Sequence, residues 1–257
     1  MALDFAGLEA VVAGPEGQFV EAISHRLIAQ GAGVKRVSDE ASMTEWATDD
    51  AASVDILILT IDRPSEATLL ALDKVEAQSI IEAQLLHLIQ LTQSALKRMR
   101  SANFGRIVVC IPSKSVFGAD QGIGATIAGA ALASLAKSIA LGNLDRDIRS
   151  NVVSYVAQTP ASQSLFDEHP VLNPDLFAVE SILPAITYLA HSSCALNGET
   201  ISAGAGRFAK LYTSVTLGAL DPSIDDECFC DLLPKLSDTR FTFSPRSVID
   251  ELITISV

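Results

Sequence analysis

Aromatic side chains are scarce in this chain: they make up 5% of its 257 residues. A buried core must therefore come mostly from Ala, Val, Ile and Leu, which suits helices stacked on a sheet. Basic residues are also in deficit, 18 against 31 acidic, leaving a formal net charge of -13. That balance disfavours nucleic acid and anionic membranes, whose phosphates would be repelled. Cysteine is limited to Cys110, Cys194, Cys228 and Cys230, with no C-x-x-C among them. Cys228-Phe229-Cys230 is too tight for an ordinary bridge or a four-ligand zinc site. Inert thiols in a reducing compartment, and so a cytoplasmic location, are the expectation. No unbroken apolar run is long enough for a membrane span, and the N-terminus lacks the basic start of a signal peptide. Internal repeats and low-complexity linkers are also missing.

What is present is an alternation of short apolar runs with helical periodicity. Strands are expected at 8–13, 34–37, 54–61, 106–111, 149–155 and 199–203. Helices are expected from Phe19 to Ile28, weakly over 41–52 around Trp46, over 76–99, over 122–144 and over 174–189. Such alternation implies an α/β fold: a doubly wound parallel sheet of about six strands with helices on both faces. From Thr213 the composition changes. Asp221, Asp225, Asp226 and Glu227 with Pro222, Pro234 and Pro245 make an acidic, proline-bearing tail. The expected division is a domain over 1–212 and an extension over 213–257 that packs on that domain or on a partner.

The element order, with Gly105-Arg-Ile-Val-Val109, Ala130–Leu141, Arg149-Ser-Asn-Val-Val153 and Asn197–Gly206, resembles the short-chain dehydrogenase/reductase family over roughly residues 6 to 210. That resemblance implies a Rossmann-like fold, an NAD(P) site and a Ser-Tyr-Lys centre with an assisting Asn. The functional positions depart from the family pattern. Its glycine-rich turn reads Ala13-Gly-Pro-Glu-Gly-Gln-Phe-Val20 here, keeping Gly14 but placing Gln18 and Val20 where the second and third glycines belong. Glu16 adds a repelling charge, while Gly17 offers a partial substitute. Asp39 sits at the ribose-binding acid position. The stretch from Asp39 to Asp55 is too short for two helices of about 11 residues and a strand of about 5. The third strand, and the adenine loop it carries, is therefore expected to be truncated. The asparagine-rich step after the fourth strand reads Leu59-Thr-Ile-Asp62, and the Pro-Gly step reads Tyr155-Val156.

At the catalytic positions the resemblance places Ser113 at the Ser and Gln84 near the Asn, but Ala125 at the Tyr and Gly129 at the Lys. Ala and Gly offer neither proton nor charge. The remaining tyrosines, Tyr155, Tyr188 and Tyr212, are followed four residues on by Thr159, Ser192 and Thr216, so no Tyr-x-x-x-Lys pair exists. Lys114 is the one cation beside Ser113. His25, His87, His169 and His191 show no metal-binding spacing, and no G-x-S-x-G elbow supports a hydrolase. Neither a bound cofactor nor a metal is expected for this chain. Gly14 and Asp39 are then vestigial cofactor contacts, and Ser113 and Gln84 vestigial catalytic ones.

The helices over 76–99 and 122–144 keep apolar faces, the second rich in Gly and Ala. In the family such helices pair into a dimer. The expected partner is a catalytically active homologous subunit that binds NAD, engaged through these helices and the tail. The extension, with Tyr212-Thr-Ser-Val215 and Ser244-Pro-Arg-Ser247, is similar to those of dehydrogenases acting on CoA thioesters. The resemblance thus implies a non-catalytic subunit of a heteromeric dehydrogenase. Two rivals are a different enzyme on the same scaffold and a small-ligand binder in the vestigial cleft. Halohydrin dehalogenases also resemble the family, but they need the Tyr that Ala125 replaces.

Overall fold

A computed structural model describes residues 3–49, 52–61, 67–219 and 225–255, with only the backbone of Asp226, Glu227, Thr254 and Ile255. The apolar runs form β1 (Glu9–Ala13), β2 (Gly33–Val37), β3 (Ile56–Thr60), β4 (Phe104–Pro112), β5 (Asp147–Tyr155) and β6 (Thr200–Gly204), all paired in parallel. β7 (Arg207–Leu211) completes a seven-stranded sheet of order β2-β1-β3-β4-β5-β6-β7. β3 is buried at every position, as expected of a parallel strand covered on both faces.

Two apolar layers sandwich the sheet. On one face α1 (Gln18–Ala29) and α8 (Leu183–Ala190) pack through Ile23, Leu27 and Ile186 on Val12, Ile58 and Val108. The other face carries α2 (Glu40–Thr48), α3 (Lys74–Ile81), α4 (His87–Ala102) and α6 (Ile123–Leu141). There Trp46, Leu91 and Leu132 meet Val11, Leu59 and Val109. Successive strand residues point to opposite faces, so the same runs feed both layers. α6 is long and apolar enough to cross a bilayer. Ser134, Lys137 and Ser138 interrupt it, which hides it from a search for unbroken apolar runs. It packs here on β4 and β5, with Leu132 and Ala136 beside Val109 and Val152.

The order begins with β2 at the edge, so among the described residues no strand lies outside β2, where the common doubly wound order has one. The truncation expected between Asp39 and Asp55 is borne out: α2 alone links β2 to β3 among the described residues.

Several expectations need correction. The count of about six strands misses β7, which returns from β6 through Ala205 and Gly206, both left-handed (φ 49 and 74). Two such residues make the tight reversal that joins antiparallel neighbours. The helix expected over 76–99 starts at Lys74, ends at Ala102 and carries a π-turn at Glu82–Leu86. That over 122–144 spans Ile123–Leu141, with Gly122 left-handed at its start. The helix expected over 174–189 breaks into 3-10 turns at Pro174–Phe177 and Val179–Ser181 before α8. Pro174 and Pro184 each open a helical piece, since proline fits a first turn and not an interior. α5 (Lys114–Phe117) and α7 (Gln163–Glu168) had no counterpart in the periodicity.

The chain divides into two compact units, Met1–Lys210 and Leu211–Val257. The second holds α9 (Asp226–Leu236), α10 (Val248–Ile255) and a two-stranded pairing of β8 (Val215–Thr216) with β9 (Thr242–Phe243). Asp225 caps α9 by accepting from the Cys228 N–H at 2.8 Å. Asp221 and Pro222 lie outside the described residues.

Candidate functional site

The turn after β1 holds Gly14 with φ 151, and its N–H donates to the Val37 carbonyl at 3.1 Å. A Cβ at Gly14 would run into the side chain and carbonyl of Thr60, at the end of β3. The close approach of two strand ends therefore demands this glycine without any ligand. α1 follows with Gly17 at its N-cap and no side-chain cap. Phe19 and Val20 are buried, and Val20 stands where the family pattern has its third glycine. Glu16 accepts from the Ser38 hydroxyl at 3.3 Å, placing a carboxylate between this turn and the end of β2. A pyrophosphate at this turn would be repelled by that charge.

Asp39 stands at the ribose-binding position but caps α2. Its carboxylate accepts from the Ser42 N–H at 2.8 Å and the Ser42 hydroxyl at 2.7 Å, and the same hydroxyl accepts from the Asp39 N–H. This reciprocal arrangement closes the first turn of the helix. The Ser42 donors hold the Asp39 carboxyl below the usual carboxylate range.

In doubly wound sheets, ligands occupy the crevice outside the carboxyl ends of the strands. Here Phe19, opening α1 after β1, stacks on Tyr155, the last residue of β5, with ring centroids 4.6 Å apart and 28° between planes. Both rings are almost fully buried and belong to the core cluster of the α1 and α8 face. Tyr155 is pinned further by its carbonyl, which accepts from the Ser113 N–H at 2.8 Å. The ring pair thus lies across the carboxyl end of the sheet.

Of the positions that the resemblance marks, Ser113 and Ala125 line one cavity, and Ser115 lies against both Ala125 and Gly129. Ser113 follows the end of β4 and caps the start of α5, half-buried. Ala125 is buried on α6, and its carbonyl accepts from the Ser115 hydroxyl at 3.3 Å. At Gly129 an added Cβ would collide with the Ser115 side chain and lie 2.9 Å from Ile61 Cδ1. The room a lysine stem needs is filled by Ser115 and Ile61. Gln84 sits inside the π-turn, buried, and its side-chain oxygen lacks a partner among the described residues. π-turns within helices often mark functional positions.

Beside this centre lies a cavity of about 330 Å³. Its inner wall includes Ile61, Ser113, Ala125, Tyr155 and Ala157, and Lys114 lines it as well. The outer wall comes from α7 and its flanks, with Leu165, Glu168 and His169 facing Asp120 and Gln121. Gln121 Nε2 donates to Glu168 Oε1 at 3.3 Å across the mouth. The His169 Nδ1–H donates to the Leu165 carbonyl at 2.9 Å. Sequence reasoning left His169 among scattered histidines and did not see this wall. Its signal was the Thr159-Pro160-Ala-Ser162 start, a capping box with proline at the first turn. His87 lies 3.5 Å from the Glu40 carboxylate, outside this cavity. Among the described residues no three His, Cys, Asp or Glu side chains gather as metal ligands.

No protein-family model matches the chain. It is 29% identical over 196 residues to the peroxisomal multifunctional enzyme type 2 of Drosophila melanogaster, an alignment covering 74% of this chain and 31% of that enzyme. The chain spans less than a third of the length of the curated relatives it matches. The solved full-length structure of the Drosophila enzyme superposes with TM-score 0.80 at 20% identity, covering 99% of this chain and 49% of the other. A 3-oxoacyl (acyl-carrier-protein) reductase from Agrobacterium tumefaciens C58, solved with NADP bound, superposes with TM-score 0.64 at 19% identity over 79% of this chain and 95% of the other. The fold is that of the short-chain dehydrogenase/reductase structures.

Proposed function

We propose, with kinship to short-chain dehydrogenases as the premise, that this chain is the catalytically silent subunit of a heteromeric NAD-dependent dehydrogenase. One observation carries the reading. At the two positions that should bear the proton donor and its cationic partner, Ala125 and Gly129 leave no titratable group, and Ser115 and Ile61 fill the space at Gly129. Proton transfer needs a group within hydrogen-bond reach of the reacting oxygen, and these positions supply none. The crowded β1–α1 turn, the engaged Asp39 and the Phe19–Tyr155 pair argue in the same direction for the cofactor. NAD is then bound by the partner, a catalytically active homologous subunit.

The surface supports association. Val75 and Ile81 on α3, Leu86 in the π-turn and Ile127 on α6 are exposed. Gly124 and Gly129 are small for an internal reason, because Ile80 and Ser115 press on them, so only part of the small-residue face is left for a partner. No described residue of the second unit is buried, although Phe229, Leu233, Ile249 and Leu252 are large and apolar. Surface of that kind gains stability when a subunit covers it.

The similarity of the tail to extensions of CoA-ester dehydrogenases extends the reading to a CoA thioester as the partner's substrate. The specific candidate is the non-catalytic subunit of 2-[hydroxy(phenyl)methyl]succinyl-CoA dehydrogenase, in the β-oxidation of benzylsuccinate during anaerobic toluene degradation. A cytoplasmic location belongs to this reading, although the curated relatives are named peroxisomal enzymes. Isothermal titration of NAD and NADP into the purified chain, with native mass spectrometry, tests it. The expected result is no heat up to about 1 mM cofactor and a mass showing a dimer or higher assembly. Micromolar binding to the isolated chain would overturn it.

A further inference from the structure

The sheet is open along β2, and the residues on that edge select what can join it. We infer that the outer edge of β2 (Gly33–Val37) is a docking site for an extended acidic segment of a partner protein, which adds to the sheet as a further strand. The inference stands apart from the silent-subunit reading, because Val34, Lys35 and Arg36 carry it and none of them supports that reading.

Backbone geometry is the first argument. Among the described residues β1 is the one strand that pairs with β2. The Gly33 N–H donates to the Leu8 carbonyl at 3.0 Å, and the Val37 carbonyl accepts from the Gly14 N–H at 3.1 Å. In a regular parallel ladder alternate residues serve the same neighbour, so Gly33, Lys35 and Val37 turn their polar groups to β1. The N–H and C=O of Val34 and Arg36 then point outward, with no strand to receive them. Those groups are what an added strand pairs with. The chain that follows does not shield them by pairing, because it forms α2, whose Trp46 packs on a face of the sheet.

Side chains decide the occupant. Val34 packs against the core of the α1 face, and Val37 belongs to the core of the other. Successive residues alternate, so Arg36 stands on the α1 face of the edge and Lys35 on the α2 face. Both are exposed, and among the described residues neither has an ion-pair partner, in a chain of net charge -13. Glu9 lies over Gly33 at the start of β2, and Asp39, beyond its end, is engaged by Ser42. The middle of the edge is therefore cationic on both faces. A second copy adding its own β2 would bring like charges together, so the same two residues that bar self-pairing admit carboxylates. Adjacent carboxylates on an extended segment fall on opposite faces and meet Lys35 and Arg36 together. Val34 is half-buried and gains cover from that segment.

The test titrates the 15N-labelled full chain with the end-blocked peptide Thr-Val-Thr-Glu-Glu-Val-Thr and with its counterpart carrying Lys in place of both Glu. Saturable amide shifts centred on residues 33–37, with a Kd of about 1 mM or tighter, are expected for the acidic peptide. Hydrogen exchange should slow at the Val34 and Arg36 N–H and stay unchanged at Lys35, whose N–H already serves β1. The lysine peptide should bind several-fold more weakly, and Lys35→Glu combined with Arg36→Glu should reverse that order. Methylating the backbone nitrogens of one alternate set in the peptide should abolish binding, and methylating the other set should not, because one edge of an added strand faces β2. Val34→Pro removes an outward N–H without touching the β1 ladder and should weaken binding about fivefold or more. If that variant fails to fold, the two methylated peptides still decide. Absence of binding, equal or tighter binding of the lysine peptide, unchanged exchange at Val34 and Arg36, or indifference to methylation of either set would each overturn the inference. So would protection of Val34 and Arg36 in the chain alone that vanishes on dilution, the mark of two copies pairing through this edge.

Discussion

Phe19 and Tyr155 stack with their ring centroids 4.6 Å apart, joining the start of α1 to the end of β5. In a chain with 5% aromatics, this contact supplies much of the large-ring packing at the carboxyl end of the sheet. Tyr155→Ala is expected to lower unfolding free energy by about 3–5 kcal/mol, as for other buried rings truncated to alanine. Tyr155→Phe keeps the ring and should lose about 1 kcal/mol or less. Urea denaturation of both variants checks this. A loss below about 1 kcal/mol for Tyr155→Ala would mean that the crevice is not held by the stack.

Gly129 has no room for the lysine that the dehydrogenase pattern puts at this position. Ser115 and Ile61 occupy the position its Cβ would need. Gly129→Ala should destabilise the chain by about 1–3 kcal/mol through overpacking. The double change Ala125→Tyr with Gly129→Lys should give no NAD-dependent alcohol oxidation. Recovery of measurable turnover in that double variant would show that the centre is dormant and not dismantled.

The sequence made the sheet legible because buried parallel strands read as short unbroken apolar runs, and β3 is the clearest of them. The missing edge strand was legible from spacing alone, since too little chain separates Asp39 from Asp55. What escaped has physical reasons. β7 depends on Ala205 adopting a left-handed conformation that its side chain disfavours. The π-turn at Gln84 leaves helical periodicity nearly intact. At the site, Ala125 and Gly129 could be singled out by position, but their surroundings could not. That Ser115 and Ile61 fill the lysine's room, and that Phe19 meets Tyr155, are contacts between distant segments. The wall around Leu165 and His169 arises from a helix of six residues, too short to leave a periodic trace.

Asp39 gives a pH-dependent prediction. Its carboxyl is held low by the Ser42 hydroxyl and N–H, so its folded pKa lies below the unfolded value. A depressed carboxylate adds stability above the unfolded pKa, near pH 4, and loses it as pH falls through the folded pKa. Asp39→Ala should therefore lower Tm at pH 7, and the gap to the wild type should close in acid. Asp39→Asn keeps an acceptor for the Ser42 N–H and should retain much of the neutral-pH Tm while removing the acid dependence. A gap between wild type and Asp39→Ala that is constant from pH 7 to about pH 2 would rule out the carboxylate as its source.

Arg106 and Asp147 form an ion pair whose two ends should respond very differently to mutation. Arg106 is 1% exposed, and Asp147 is 48% exposed at its side chain. The guanidinium donates to the carbonyls of Gly105, Asp147, His191 and Ser192 and lies 3.1 Å from the Asp147 carboxylate. Burial pushes its pKa down, with Asp147 opposing that, and the group stays charged because arginine is not deprotonated in proteins. Removing the arginine leaves one buried and three part-buried carbonyls without their donor, so Arg106→Leu should cost about 3–5 kcal/mol in chemical denaturation. Asp147→Asn leaves the guanidinium its carbonyl acceptors, and the lost carboxylate is half in water. Its cost should be about 1 kcal/mol or less and should shrink further in high salt. Equal costs for the two variants would mean that the ion pair, and not the ring of carbonyls, holds Arg106 in place.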